Sequence, residues 1–245
     1  TVAVYLDQST KSANVEPGES GQVIFTGTVE CASVGPGSNV QWIEVELETW
    51  SENGWACTIS PSSMTFPPSG GSTPFTMTVR VPPETSYRVT DTITLGGRAT
   101  MVPGMVSHSI PDTMATVLVE QYYSFSTEQS GPWVNDVGYS ADFIITINND
   151  GNGDDKFMLE ATNQDDLADL GISAQLSTSS IEIYEKDSDE VVLQVMVDTN
   201  VDDGMYNAAV KVSSFGSANV AGLPLEEDLY LGFRICRTAV ISFVV

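Results

Sequence analysis

The segment Ala141–Ala161 alternates apolar and polar residues with a period of two on both sides of a short turn. Phe143, Ile145 and Ile147 occupy every second position, and the alternation restarts after the turn at Phe157. A period of two places side chains on one face of a β-strand. The Gly, Asn and Asp residues between the two runs are those that turn a chain. The pattern therefore predicts a strand–loop–strand unit with one buried face.

Alternation of the same kind runs through the first half of the chain. Ile43, Val45 and Leu47 are predicted to face inward, and the glutamates between them face outward. The one short helix that the sequence favours is Asp165–Leu170. Short strands separated by turns roughly every ten residues are typical of a β-sandwich.

The second half of the chain repeats the plan of the first. Ser177–Ile183 reads STSSIEI and matches SPSSMTF at Ser60–Phe66, 117 residues earlier. We also align Thr238–Val245 with Thr116–Tyr122, as the last strand of each copy. A repeat of this length corresponds to one immunoglobulin-sized sandwich per copy.

The boundary between the copies is predicted around Glu128–Trp133, where Gly131 and Pro132 interrupt the strand pattern. We therefore expect an all-β chain with two tandem immunoglobulin-like β-sandwich domains, residues 1–128 and 129–245. The linker is short, so the joint between the domains is expected to be semi-rigid.

The charge balance excludes several classes of partner. The chain has 33 acidic and 9 basic residues, a net charge of −24. Such a surface repels nucleic acid and anionic lipid headgroups, so we expect neither as a partner. No apolar run reaches transmembrane length, so no membrane insertion is expected within this chain. The acidic surface suits an exterior rich in salt, acid or divalent cations.

The second half resembles the immunoglobulin-like domains of archaeal and bacterial secreted proteins, of the cell-adhesion-related and NPCBM-associated groups. Asn149–Asn152, Asp155–Leu159 and Gly204–Val210 carry the resemblance, which covers Val134–Ser214 best. The loop of the first half lacks the Asn-x-Gly-Asn element. The resemblance implies an extracellular or cell-surface location and an adhesive, spacer or assembly role, without catalysis.

Nothing in the sequence favours an enzyme. His108 is the only histidine, and we interpret it as a loop residue within MVPGMVSHSIP, with no recognisable nucleophile turn nearby. A blue-copper site needs two histidines, which the sequence does not have. Carboxylates are too abundant for one pair to be selected as an acid–base couple. We expect no catalytic residues and no cofactor other than structural calcium.

The turn of the opening segment is the candidate calcium site. Asp150, Asn152, Asp154 and Asp155 present side-chain oxygens with glycines between them, as loops that wrap Ca²⁺ do. An EF-hand is excluded because the sixth position is Asp155 rather than Gly and the twelfth is Ala161 rather than Glu. The alternative is a turn that connects two strands.

Three cysteines are present. Cys31 and Cys57 both have inward parity and are 26 residues apart, so a disulfide between strands of the first domain is predicted. In an oxidising exterior it would contribute about 3 kcal/mol on the chain-entropy model. The alternative is two buried free thiols. Cys236 is expected to be a buried free thiol.

Trp42 and Trp50 share the outward parity of the glutamates between them. Exposed aromatic rings stack on sugars, which makes a carbohydrate-binding platform one interpretation. The other is that a loop or the neighbouring domain covers both rings.

The leading functional hypothesis is a non-enzymatic structural protein of the cell surface that acts through protein–protein contact. One form of this hypothesis is a self-assembling subunit of a filament or surface layer, because sheet edges have unpaired backbone groups that a neighbour's strand can pair with. Thr1–Leu6 and Thr238–Val245 are the segments expected to be most available. The alternatives are a carbohydrate-binding accessory module and a calcium-stabilised spacer of a larger surface protein.

Overall fold

Two β-sandwiches make up the chain. The computed structural model divides it into Thr1–Tyr122 and Tyr123–Val245, here called domain one and domain two. Each domain has one four-stranded and one five-stranded sheet. The all-β fold with two tandem immunoglobulin-like sandwiches is thereby confirmed. The residues that the structure describes are 1–35, 38–104, 106–131, 134–136, 140–219 and 224–236.

The described residues of domain one form nine strands. They are β1 (Val2–Leu6), β2 (Thr10–Ala13), β3 (Gly21–Cys31), β4 (Trp42–Ser51), β5 (Ala56–Ser60), β6 (Ser63–Phe66), β7 (Gly71–Val81), β8 (Thr90–Val102) and β9 (Val106–Val119). The four-stranded sheet has the order β1-β3-β7-β5, and the five-stranded sheet has the order β2-β9-β8-β4-β6. Neighbouring strands are antiparallel except that β2 runs parallel to β9.

Domain two repeats this topology strand for strand. Its elements are β10 (Phe125–Ser130), β11 (Val134–Asp136), β12 (Ser140–Asn149), β13 (Asp155–Ala161), α1 (Gln164–Asp169), β14 (Ile172–Leu176), β15 (Ser180–Ile183), β16 (Ser188–Val197), β17 (Gly204–Ser214), α2 (Phe215–Asn219) and β18 (Glu226–Cys236). The sheets have the orders β10-β12-β16-β14 and β11-β18-β17-β13-β15. These orders are those of domain one with each strand number raised by nine, so the structure contains the repeat that the sequence predicts.

Alternate residues of each strand form the cores, as the period of two requires. In domain one Phe25, Met77 and Ile93 are fully buried between the two sheets. In domain two Ile145 and Phe157, both taken from the opening alternation, are fully buried. Burying one such side chain contributes about 1.5–3 kcal/mol relative to leaving it in water.

The domain boundary lies earlier than predicted. Domain one ends at Tyr122, six residues before the predicted end at residue 128. The segment Phe125–Ser130 is β10, which pairs with β12 along its whole length and so belongs to domain two. The interruption at Gly131 follows the first strand of domain two rather than joining two domains.

Strand β18 is the last described strand of domain two. It pairs antiparallel with β17 and parallel with β11, the position that β9 has in domain one. The counterpart of β9, which contains Thr116–Val119, is therefore β18. Thr238–Val245 lies outside the described residues, and Cys236 is the last residue of β18.

Two local predictions have opposite outcomes. The short helix expected at Asp165–Leu170 is present as α1. His108 is not a loop residue, because it lies in β9 opposite Ala99. The apolar and polar residues around it do not alternate strictly, which hides the strand in the sequence. No helix among the described residues is long and apolar enough to cross a membrane.

A β-bulge interrupts the pairing of β8 with β9 between Leu95 and Gly97. Gly97 has φ +155°, and a Cβ atom there would lie 2.1 Å from the carbonyl oxygen of Glu46 on β4. A Cβ on the adjacent Gly96 would meet only the carboxylate of Asp112, at 2.5 Å, and that side chain can rotate away.

We therefore expect Gly97→Ala to destabilise domain one by about 1–3 kcal/mol, because backbone must move to admit the methyl group. Gly96→Ala is the matched control and should cost clearly less. Urea unfolding followed by tryptophan fluorescence measures both. Equal losses for the two variants would contradict the steric account of the bulge.

Candidate assembly edge

The predicted calcium ligands lie in different environments. Asp155 begins β13 and has the inward parity of Phe157, so its side chain is buried in the sandwich. Asp150 is exposed, and Asp154 accepts a hydrogen bond from the Glu185 N–H at 3.1 Å. Among the described residues, no group of three or more His, Cys, Asp or Glu side chains is arranged to hold a metal ion. The calcium site stays a prediction.

Hydrogen bonds hold the turn between β12 and β13. The buried Asn149 amide donates to the carbonyl oxygens of Gly153, at 2.9 Å, and Ile183, at 3.0 Å. Its own carbonyl oxygen accepts from the Gly151 N–H at 3.0 Å. One amide thus ties the turn to the end of β15.

Asp155 ties the start of β13 to the end of β17. Its Oδ2 accepts from the Ser214 hydroxyl at 2.5 Å and its Oδ1 from the Gly216 N–H at 2.9 Å. The Ser214 oxygen in turn accepts from the Ser217 N–H at 3.0 Å. A buried carboxylate is stable only when it is hydrogen-bonded in this way.

Domain one contains the same arrangement with the strands exchanged. Asp91 accepts from the Ser51 hydroxyl at 2.5 Å and from the Asn53 N–H at 3.0 Å. The Trp55 N–H donates to the Ser51 oxygen at 2.7 Å. In both domains the aspartate lies two residues before the residue that pairs with the serine, which is Ile93 here. We call each arrangement an Asp–Ser tie. Neither tie is predicted from the sequence, although each aspartate has inward parity at a strand start.

The predicted disulfide is wrong. Cys31 lies opposite Gly71 and Cys57 lies opposite Val79, on the two strands that flank β7. The eight-residue separation along β7 corresponds to about 27 Å, whereas bridged Cα atoms lie about 4.4–6.8 Å apart. Cys31, Cys57 and Cys236 are all free thiols. Inward parity places two cysteines in the same core but does not fix their distance along the strands.

Burial raises the pKa of the Cys31 thiol, and the N-terminal amine acts weakly in the opposite direction. Burial also raises the pKa of Cys57, and the negative charge of Asp91 raises it further. Both thiols are therefore less ionised at a given pH than an exposed cysteine.

Trp42 and Trp50 do face outward, with 36% and 62% of their surfaces exposed. They lie at opposite ends of β4, eight residues and hence about 27 Å apart. The three outward glutamates lie between them, and the Trp42 ring N–H donates to Glu44 at 3.0 Å. The two rings therefore do not form a single stacking platform.

The edge formed by β1, expected to be available, is partly covered. The Thr113 hydroxyl on β9 donates to the Val4 carbonyl oxygen at 3.0 Å, on the side of β1 that faces away from β3. A strand added to β1 would have to displace this hydrogen bond.

The side of β5 that faces away from β7, here called the β5 edge, has no such cover. Within the described part of the chain, the hydrogen bonds of Ala56–Ser60 reach only β7 and the carbonyl of Trp55. The strand ACTIS has no charged residue, and its outward side chains, Ala56, Thr58 and Ser60, are exposed. Edge strands of soluble proteins are usually protected by charges, proline or a covering element.

The counterpart edge in domain two is covered. Helix α1 lies against β14, and the Gln164 side-chain amide donates to the Ala174 carbonyl oxygen at 2.7 Å. Leu167 of α1 is buried in the core. The same position of the same topology is thus covered in one domain and uncovered in the other.

The surroundings of the β5 edge differ in charge from those of the β6 edge. Strand β6 also has no charged residue, but Glu44 and Glu46 lie opposite it on β4. The residues opposite Thr58 and Ser60 on β7 are Thr78 and Thr76. A second acidic molecule therefore meets less electrostatic repulsion at β5 than at β6.

No family model matches the chain, and no curated protein is significantly similar to it. A protein of unknown function from Porphyromonas gingivalis W83 is 10% identical over 96% of this chain and 99% of that one, with a TM-score of 0.34. Domains 4 and 5 of the S-layer protein SbsC are 13% identical over 96% and 97% of the two chains, with a TM-score of 0.30.

A chain of the CsuC–CsuE chaperone–tip adhesion subunit complex of Acinetobacter baumannii is also similar, at 11% identity over 94% and 100% of the two chains, with a TM-score of 0.37. Similarities of this size do not transfer a function. The resemblance to the cell-adhesion-related and NPCBM-associated groups stays a prediction, and the fold is established by the topology described above.

Asp155→Asn should destabilise domain two by about 1–3 kcal/mol, because the amide keeps one acceptor oxygen and its nitrogen cannot accept, so one of the bonds from Ser214 and Gly216 is lost. Asp150→Asn, in the same loop but exposed, is the control and should change stability little.

If hydrogen bonds alone hold this turn, a Ca²⁺ chelator should leave the melting temperature of the wild type unchanged. A fall of several degrees would instead support the calcium prediction.

The free thiols make a second prediction. The intact mass of the denatured, unreduced protein should correspond to three free cysteines. In the native protein Cys31 should react with a thiol reagent at pH 8 more slowly than a cysteine peptide, since its pKa is raised. A mass two hydrogens lower, or fast labelling of Cys31, would contradict this placement.

Proposed function

We propose that the chain is a non-enzymatic structural module of an extracellular, cell-surface protein, and that it acts through protein–protein contact at a sheet edge. The observation that carries the proposal is the β5 edge, which is uncharged and uncovered in domain one. The α1 helix at the counterpart edge supports a specific use of β5, because the same fold can cover that position.

Backbone pairing is the physical route. A strand that docks on β5 pairs with N–H and C=O groups that otherwise face water, as in β-strand addition generally. Each new hydrogen bond contributes about 0.5–1.5 kcal/mol net, so an edge of five residues supports a weak contact. Weak contacts become effective when many copies bind together, as in a filament or surface layer.

Several carboxylates of the chain have structural contacts. Asp91 and Asp155 form the Asp–Ser ties, and the carboxylates of β4 form an exposed ladder in which Arg98 pairs with Glu46 at 3.3 Å. The net charge of −24 suits an exterior where salt screens repulsion between neighbours.

Thr58→Lys tests the proposal, because a lysine on an edge strand blocks the approach of another strand. We expect the wild type to show a mass in light scattering that rises above 26.3 kDa as the protein concentration increases toward about 1 mM. The Thr58→Lys variant should lose this behaviour.

Gln175→Lys is the matched control, since Gln175 on β14 has the position that Thr58 has on β5. It should associate like the wild type. A wild type that stays monomeric at all concentrations, or equal behaviour of the two variants, would contradict edge-mediated contact. Circular dichroism melting confirms that both variants are folded.

A further inference from the structure

The β5 edge is complementary to itself. We propose that β5 of one copy pairs antiparallel with β5 of a second copy across a two-fold axis at Thr58. The four-stranded sheets of the two copies then join into one sheet of eight strands. The proposal rests on the edge contact proposed above and names its partner, a second copy of this chain.

Strand length and side-chain parity select the register. Pairing all five residues places Ala56 opposite Ser60, Cys57 opposite Ile59, and Thr58 opposite its own symmetry mate. In this register the exposed side chains stay on one face and the half-buried ones on the other, as continuation of a pleated sheet requires. A contact of this kind is isologous and closes as a dimer.

Charge permits this contact between two acidic molecules. Ala56, Thr58 and Ser60 are uncharged, and the residues paired with Thr58 and Ser60 on β7 are threonines. Arg80, opposite Ala56, is the charged residue of β7 nearest to the seam, and its charge is positive. The acidic residues that give each copy its net charge of −24 therefore lie outside this contact.

The inward side chains of β5 gain cover in the dimer. Cys57 and Ile59 are half-buried, although they belong to the same inward face as the fully buried Met77 and Val79 of β7. In domain two the position of Cys57 is held by Ala174, which is buried where α1 covers the edge. In the dimer the second copy of β5 thus covers the edge of domain one, as α1 covers the edge of domain two.

The contact is small. Two five-residue strands bury much less than the roughly 1,200–2,000 Å² of a stable specific interface. We therefore expect a weak dimer with dissociation in the high micromolar to millimolar range, detectable at concentrations up to about 1 mM.

Thr58→Cys tests the register directly. Directly opposite residues in an antiparallel pair have Cβ atoms about 4.5–5.5 Å apart, close enough for a disulfide after small adjustment. Under mild oxidation, Thr58→Cys in the full chain should form a covalent dimer of twice 26.3 kDa within minutes. Peptide mapping should locate the bond between the two introduced cysteines.

Gln175→Cys introduces an equally placed, exposed cysteine on the covered β14 edge and should cross-link no faster than the wild type. Equal cross-linking of the two variants, or none in Thr58→Cys, would overturn the β5–β5 pairing. If Thr58→Lys abolishes association while Thr58→Cys fails to cross-link, the edge contact stands and the symmetric partner falls. If neither variant differs from the wild type, both proposals fall.

Discussion

Backbone N–H and C=O groups must be paired wherever they are removed from water, and this requirement governs the whole structure. Inside each sandwich the long central strands satisfy it with one another, β3 with β7 and β4 with β8. A sheet that does not close into a barrel leaves two rims where pairing stops. The two domains differ in which of these edge strands are covered by other parts of the chain.

The repeat makes the comparison informative because the topology is constant. Domain two covers its β14 edge with α1, and domain one partly covers its β1 edge through Thr113. At β5 the connection from β4 is a tight turn with no room for a helix, since only residues 52–55 separate the two strands. The Asp–Ser tie fixes this turn, because Asp91 accepts a hydrogen bond from the Asn53 N–H and Ser51 accepts one from the Trp55 N–H. Because the Asp–Ser tie fixes a turn this short, no helix of that connection covers the β5 edge.

Alternation of apolar residues is enough to predict the fold, the repeat and the inward faces. Each strand buries one of its two faces, and the residues of that face can be identified from the local sequence. Ile145 and Phe157 are buried as the pattern requires. Distances between residues on different strands depend on strand order, and alternation does not predict them. Cys31 and Cys57 have the predicted parity, yet they lie on different strands at distant positions along the sheet.

The candidate site was difficult to predict for the same reason. A buried aspartate at a strand start looks like a loop carboxylate in the sequence, so Asp155 was assigned to calcium rather than to Ser214. The β5 edge has no motif, because its defining property is that nothing pairs with it. Only the comparison of β5 with β14, after the sheets are known, separates an uncovered edge from a covered one.

Hydrogen–deuterium exchange of the full chain at low and high concentration tests the central claim most directly. The β5 amides that face away from β7 should exchange rapidly in dilute solution and become protected as concentration rises. The β14 peptide, whose edge α1 covers, should be protected to the same extent at both concentrations. Protection of these amides in dilute solution, or exchange of them that does not depend on concentration, would contradict the account of an uncovered edge that pairs with another copy.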